Sequence, residues 1–405
     1  MGLICLYNGT VMTGFAAMEQ CAVLIEDGKI ADVFSQKRFD QKHFGSDVQI
    51  IDVRGAFIAP GLIDTHIHGF GGYGTEDGFD SATAGTHAVL EMSKRLVQYG
   101  VTAFNPSIYP AEPERMLRAV QGAAAAMGRE QGAQIMGLHL EGPFISPERL
   151  GVQKRETIMS VDIPFMERLW EAAEGRIVNM TVAPELKGMR ELALFCIKKG
   201  IVLQAGHTDA RYENMVEGMQ AGILHATHLF NAMGKMDHRN PNAVGAVLIH
   251  PEMSCEIIAD GFHVHPDLFK LLLRDKPLDK IVLVTDSLKP AEQVNGPFYA
   301  NGEEVFFKDG LFCRKSDGVI AGSALTMIRG IRNLVNFGFS LEDAVKTAGF
   351  NPAQVMRYRN KGAIIPGHDA DLVVFAWNTG AGGGESGLRV LAAVSGGIIR
   401  KNTLS

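Results

Sequence analysis

The stretch "PGLIDTHIHGFGG", residues 60–72, decides how the rest of the chain is read. An apolar run, Ala56, Phe57, Ile58 and Ala59, leads into it. His66 and His68 then stand two apart, with Asp64 just before them and glycines just after. Side chains alternate across a strand with period two, so these two imidazoles share one face. Such a pair is either half of a metal site or two satisfied core histidines. The neighbouring strands decide between the two.

Short apolar runs recur along the chain. They predict strands at 57–64, 102–105, 135–141, 177–182, 201–205, 225–230, 253–259 and 280–285, apolar as strands buried on both faces are. Helical patterns follow most of them, for example at 82–98, 113–127, 188–199 and 266–274. Eight strand-then-helix units in order predict an α/β fold, a (β/α)8 TIM-like barrel over residues 57–363. Both chain ends read instead as short alternating strands. "LICLYNGTVMTG" and "CAVLIEDGKIADVF" carry the hairpin turn pairs Asn8-Gly9 and Asp27-Gly28. "GAIIPGHDADLVVFA" and "RVLAAVSGGIIRK" repeat the pattern near the other end. Residues 1–56 and 364–405 are therefore expected to form one small β-sandwich domain. The run "GAGGGESG", 380–387, reads as a flexible turn.

With 405 residues, 46% apolar and 21% charged, the chain can fill a barrel core and an appendage. Its net charge of −6 suggests no nucleic-acid or membrane surface, so an anionic substrate must meet a local cluster of positive groups. Cys5, Cys21, Cys196, Cys255 and Cys313 are scattered and form no CxxC pair, which argues against a disulfide framework and fits a reducing cytoplasm. "MGLICLYNGTVMTG" does not read as a signal peptide, and no run of about 18 apolar residues predicts a membrane span.

In a barrel of this kind the active site lies at the C-terminal ends of the strands. The first strand ends in His66 and His68, the third in Glu141 and the fifth in His207. The sixth carries His228, the seventh leads to Asp260, His263 and His265, and the eighth ends at Asp286. One polar strand end means little; six converge on one point. Imidazole and carboxylate donors without a thiolate suit zinc, and iron, manganese and cobalt also fit. His139 and His225 lie inside strands, where they could orient a ligand. His43, His87, His250 and His368 read as surface or loop residues, and His265 is left open.

Taken together, "PGLIDTHIHGFGG", "GLHLEGPF", "AGHTDA", "THLFNAM", "IIADGFHV", "LVTDS", "AGSALTM" and "NPAQVM…G…PGHDADLVVF" resemble the amidohydrolase superfamily. Within it they resemble the enzymes that deacetylate N-acetylated hexosamine 6-phosphates in amino-sugar catabolism. Many superfamily members bridge two metals with a carboxylated lysine on the fourth strand. Here "RIVNMTVAPE" has no lysine, and Glu141 takes that place. The resemblance implies that Glu141, His207 and His228 hold the main divalent metal. It implies a second ion on His66 and His68, bridged by Glu141, although members lacking the pair work with one metal. Asp286 matches the catalytic aspartate, which takes a proton from water and passes it to the leaving amine, while His263 stabilises the oxyanion.

For the substrate, the resemblance assigns the phosphate to "FNAMGKMDHRNPNAVGA". Lys235, His238 and Arg239 supply positive charge there, with help from the backbone amides of Asn231 and Ala232. The matching arginine often comes from the neighbouring subunit, which implies a homodimer with Arg239 reaching across. Ala321, Gly322 and Ser323 are expected to close over the sugar. Gln153 stands where some members carry a substrate-contacting histidine; it can bond a sugar hydroxyl but carries no charge. Two rival readings remain at this point. One is another amidohydrolase activity, on the galactosamine epimer or on an N-acyl-D-amino acid. The other is a sugar-phosphate-binding regulator, against which the set Glu141, His207, His228 and Asp286 argues, because a pure binder needs no water-activating aspartate.

Overall fold

Gly61 splits the expected strand 57–64 in two, and the split joins two separate sheets. The computed structural model describes residues 2–378 and 387–404. Phe57–Pro60 pairs in parallel with Leu3–Met12 and antiparallel with Leu372–Asn378, both from the chain ends. After Gly61, Leu62–Ile67 pairs in parallel with Val101–Ile108 and becomes the first barrel strand. Gly61 donates its N–H to the Asp371 carbonyl at 2.8 Å, and a Cβ there would lie 2.0 Å from Thr102 Oγ1. Only glycine fits at this join.

From Val101–Ile108 the barrel continues in parallel order through Leu138–Glu141, Ile177–Val182, Val202–Ala205, His225–Ala226, Ser254–Ile258 and Ile281–Val284. The third run begins as a separate strand, Gln134–Ile135, and breaks at Gly137, whose φ is +154°. The sixth is shorter than expected because the backbone turns out of the sheet, with His228 at φ +26° and Phe230 at +81°. The eighth strand meets the first without a regular ladder. Asp286 N–H donates to the His66 carbonyl at 2.9 Å, and His68 N–H to that of Ser287 at 3.0 Å. The buried Asp64 carboxylate stitches the same seam, accepting from the Thr285 N–H at 3.2 Å and hydroxyl at 2.6 Å. Burial pushes Asp64 up to about 7 against the pull of those two bonds.

Ala82–Leu96, Pro113–Ala126, Met189–Lys199 and Pro266–Asp275 are helices, within two residues of the expected ends. Ser81, Asp162 and Thr326 cap the helices they precede by accepting from backbone N–H groups. Four short strands between 298 and 323 form an antiparallel sheet after the eighth barrel strand, which the sequence pattern did not reveal.

The chain ends do form a second domain, as expected. Its eight strands are linked into one forked sheet, because Leu3–Met12 bonds Ala17–Glu26 on one side and both Val48–Asp52 and Phe57–Pro60 on the other. Ile4, Leu6, Val23, Ile58, Leu372 and Val394 pack into a core separate from the barrel's. Asp27-Gly28 closes a hairpin, both residues at positive φ. Asn8-Gly9 does not turn. The strand runs through it as a bulge, with Asn8 at φ +61° and its amide donating to Asp52 Oδ1 at 2.8 Å. Apart from Gly387, the 380–387 run lies outside the described residues. Among the described residues no helix is long and apolar enough to cross a membrane, and all five cysteines are unbridged.

Gly61→Ala should destabilise the fold by about 1–3 kcal/mol, because the added methyl overpacks the seam between the two domains. Urea unfolding of both proteins measures this as a lowered midpoint at unchanged m-value.

Candidate functional site

Four imidazoles from the first, fifth and sixth strand ends converge on one carboxylate. Glu141 Oε1 lies 3.2 Å from His207 Nε2, 3.2 Å from His228 Nε2 and 3.3 Å from His66 Nε2. Its Oε2 lies 3.3 Å from His68 Nε2. Asp286 Oδ1 sits 3.6 Å from His66 Nε2 and 3.5 Å from His68 Nε2. The donors form two clusters, Glu141 with His207 and His228, and His66 with His68 and Asp286. All but Asp286 are buried.

Hydrogen bonds at the far side of the rings show what faces inward. His207 Nδ1 donates to the Arg149 carbonyl and His68 Nδ1 to the Ser107 carbonyl, both at 3.0 Å. His66 Nδ1 donates to Glu256 Oε2 at 2.9 Å. Carbonyl and carboxylate oxygens only accept, so in the neutral rings each Nε2 is an unprotonated lone pair. The Nε2 atoms of His66 and His68 lie only 3.3 Å apart, each 3.3 Å from a Glu141 oxygen. Lone pairs packed this closely repel unless a cation or protons lie among them, so the residues fit a divalent metal. Burial disfavours charge on His66 and His207, yet their surroundings together outweigh it and raise both pKa values, with Glu256, Asp286 and Glu141 acting on His66 and Glu141, the Arg149 carbonyl and Asp286 on His207. Burial would also raise Glu141, but the imidazoles, His207 first, hold it well below the usual carboxylate range.

A cavity of about 320 Å³ opens beside these donors. His263 lines it, its Nδ1 2.6 Å from Asp260 Oδ2. Burial opposes charge on the His263 ring, but Asp260's hydrogen bond and charge together with Asp286 prevail and raise its pKa. Tyr109 stacks on His68 with ring centroids 3.7 Å apart. His207, His228 and Asp286 all sit at positive φ, an uncommon strain for non-glycine residues.

The remaining expected residues divide between the cavity and its surroundings. Gln153 is buried and lines the cavity; its Nε2 donates to Glu141 Oε2 at 2.5 Å, while its Oε1 has no hydrogen-bond partner. The Asn231 N–H is engaged by the His228 carbonyl at 3.0 Å because the chain turns there; Asn231 and Ala232 still line the cavity. Ala321 and Gly322 line it too, whereas Ser323 gives its hydroxyl to the Thr285 carbonyl at 2.5 Å and its N–H to that of Asp286 at 3.0 Å. Lys235, His238 and Arg239 stand exposed on their loop and do not line this chain's cavity. His139 bonds Ser107 and Thr181, and His225 bonds Ser254, so neither is hydrogen-bonded to the ring of a proposed ligand. His265 caps a helix in solvent.

Sequence reasoning missed Glu256, which holds both the His66 ring and the His228 backbone N–H. Its signal was available: a carboxylate inside the apolar strand "SCEII" must have partners.

The sequence model of the amidohydrolase family matches residues 57–396. The N-acetylglucosamine-6-phosphate deacetylase of Bacillus subtilis (strain 168) is 34% identical over 356 residues, covering 86% of this chain and 87% of that protein. The protein of that name from Homo sapiens is 31% identical over 361 residues, covering 86% of each. The crystal structure of the Pasteurella multocida protein of that name superposes with a TM-score of 0.88 at 27% identity, covering 99% of this chain and 100% of that one. The Mycobacterium smegmatis protein, in complex with N-acetyl-D-glucosamine-6-phosphate, gives 0.87 at 26%, with the same coverage.

Glu141→Gln should lose metal affinity by roughly 10-fold or more, since an amide cannot neutralise a cation among four imidazoles. Elemental analysis after dialysis against a weak chelator reads the loss, and circular dichroism verifies that the variant is folded.

Proposed function

Because the chain belongs to the amidohydrolase family, we propose that it removes the acetyl group from N-acetyl-D-glucosamine 6-phosphate, giving D-glucosamine 6-phosphate and acetate. The observation that carries this reading is the donor set around Glu141 at the mouth of a barrel whose relatives bear the name of that activity. Their shared name favours it over the galactosamine epimer or an N-acyl-D-amino acid.

Glu141, His207 and His228 would hold the main ion, which we take to be zinc, and His66 and His68 would hold a second beside Glu141. A divalent cation bound there lowers the pKa of water to ~7 and polarises the acetamide carbonyl. Asp286, at the cavity wall, takes the proton of the attacking water and returns it to the departing amine. His263, steadied by Asp260, donates to the carbonyl oxygen as negative charge builds on it. Asn231 and Ala232 border the space for the sugar phosphate, and Ala321 and Gly322 cover the sugar. Arg239 lies exposed, as a residue serving a neighbouring copy must. A homodimer in which Arg239 grips the phosphate bound by the partner subunit accounts for its absence from this chain's own cavity.

The test is acetate release from N-acetylhexosamines with and without the 6-phosphate, after chelation and metal add-back. Turnover should require metal and favour the phosphorylated gluco sugar; metal-independent turnover, or a preference for an N-acyl-D-amino acid, sinks the reading. Asp286→Asn should lower kcat by at least ~10²-fold, as loss of general acid–base catalysis does. Arg239→Ala should raise KM for the phosphorylated sugar roughly tenfold or more while metal content stays constant, which kinetics and elemental analysis together check.

A further inference from the structure

Glu256 lies fully buried in the seventh barrel strand, flanked by Cys255, Ile257 and Ile258. Its carboxylate accepts from three donors. Oε2 takes the His66 Nδ1–H at 2.9 Å and the His228 backbone N–H at 3.1 Å, and Oε1 takes Gln204 Nε2 at 3.0 Å. Gln204 ends a ladder across the barrel interior. Tyr358 Oη donates to Asn105 at 2.8 Å, Asn105 to Asn179 at 3.1 Å, and Asn179 to Gln204 at 3.2 Å. Every donor in this series points toward Glu256, so the ladder has one polarity and ends on a group that can only accept.

A neutral imidazole has one donor and one acceptor nitrogen. With Nδ1 committed to a carboxylate, the acceptor of His66 must be Nε2, which faces Glu141 Oε1 at 3.3 Å and His68 Nε2 at 3.3 Å. We propose that Glu256 is a positioning residue that fixes the tautomer and rotation of His66, and thereby decides whether the His66–His68 half of the site takes a cation. The inference rests on the two-ion reading given above. The first half of the site is touched by Glu256 only through the backbone of His228, so it depends on this carboxylate less.

The experiment is zinc titration in competition with a chromophoric chelator, on wild type, Glu256→Leu and Glu256→Gln. Wild type should take two ions per chain. Glu256→Leu should retain the first and bind the second roughly 10–100-fold more weakly, as loss of a ligand's hydrogen-bond partner does. Glu256→Gln, which keeps an oxygen for the His66 ring, should fall between them. Equal second-ion affinity in wild type and Glu256→Leu, or an equal loss at both ions, overturns the inference while leaving the two-ion reading intact. A single ion in wild type overturns that reading first, and the inference with it. If Glu256→Leu fails to fold, ¹⁵N-histidine NMR of cadmium-113-loaded wild type decides. Coupling of the metal to His66 Nε2 with a proton on Nδ1 supports the assignment, and coupling through Nδ1 overturns it.

Discussion

One carboxylate surrounded by four imidazoles governs this molecule. Glu141 lies within 3.3 Å of ring nitrogens from the first, fifth and sixth strand ends. Those strands are separated by up to 87 residues of chain from Glu141. No local structure can hold such groups together, so the barrel must close tightly enough to bring its strand ends to one point. The cost is visible in the backbone: His207, His228 and Asp286 occupy positive φ. The surroundings hold that conformation at Asp286, whose N–H reaches the His66 carbonyl and whose carbonyl takes the Ser323 N–H.

The barrel interior is accordingly more than apolar filling. Asn105, Asn179, Gln204 and Glu256 form a buried hydrogen-bonded series rising toward the metal donors, while Asp64 and Thr285 bind the first strand to the eighth. Buried polar groups are expensive unless satisfied, and once satisfied they specify one arrangement. Second contacts to His66, His68 and His207 come from Glu256 and two backbone carbonyls rather than from further histidines. The rings are thus aimed by their surroundings before any ligand arrives.

Much of this was legible in the residues. The His-x-His spacing places two rings on one face of one strand, and the observed strand Leu62–Ile67 carries the pair to the barrel mouth. The strand order, the helices and the two-ended second domain follow from local periodicity and turn chemistry. Gln153, Ser323 and Asn231 were harder because each could serve a ligand or a neighbour equally well; the contacts with Glu141, Thr285 and His228 are long-range or depend on a turn that composition does not encode. Asn8-Gly9 shows the same limit, since left-handed backbone serves a bulge as readily as a hairpin. The short strands after the eighth barrel strand escaped because their pattern is interrupted by turns and their burial is uneven.

The amino-acid order by itself determined which donors exist, on which strands they ride and to which face they point, because side-chain direction follows from backbone period alone. Only the tertiary structure decided which carboxylate each ring meets, that Glu256 rather than His139 or His225 bonds the His66 ring, and that Arg239 is exposed outside the lining of its own chain's cavity. Those outcomes depend on distances between segments remote in sequence, and such distances are set by packing and closure of the whole barrel.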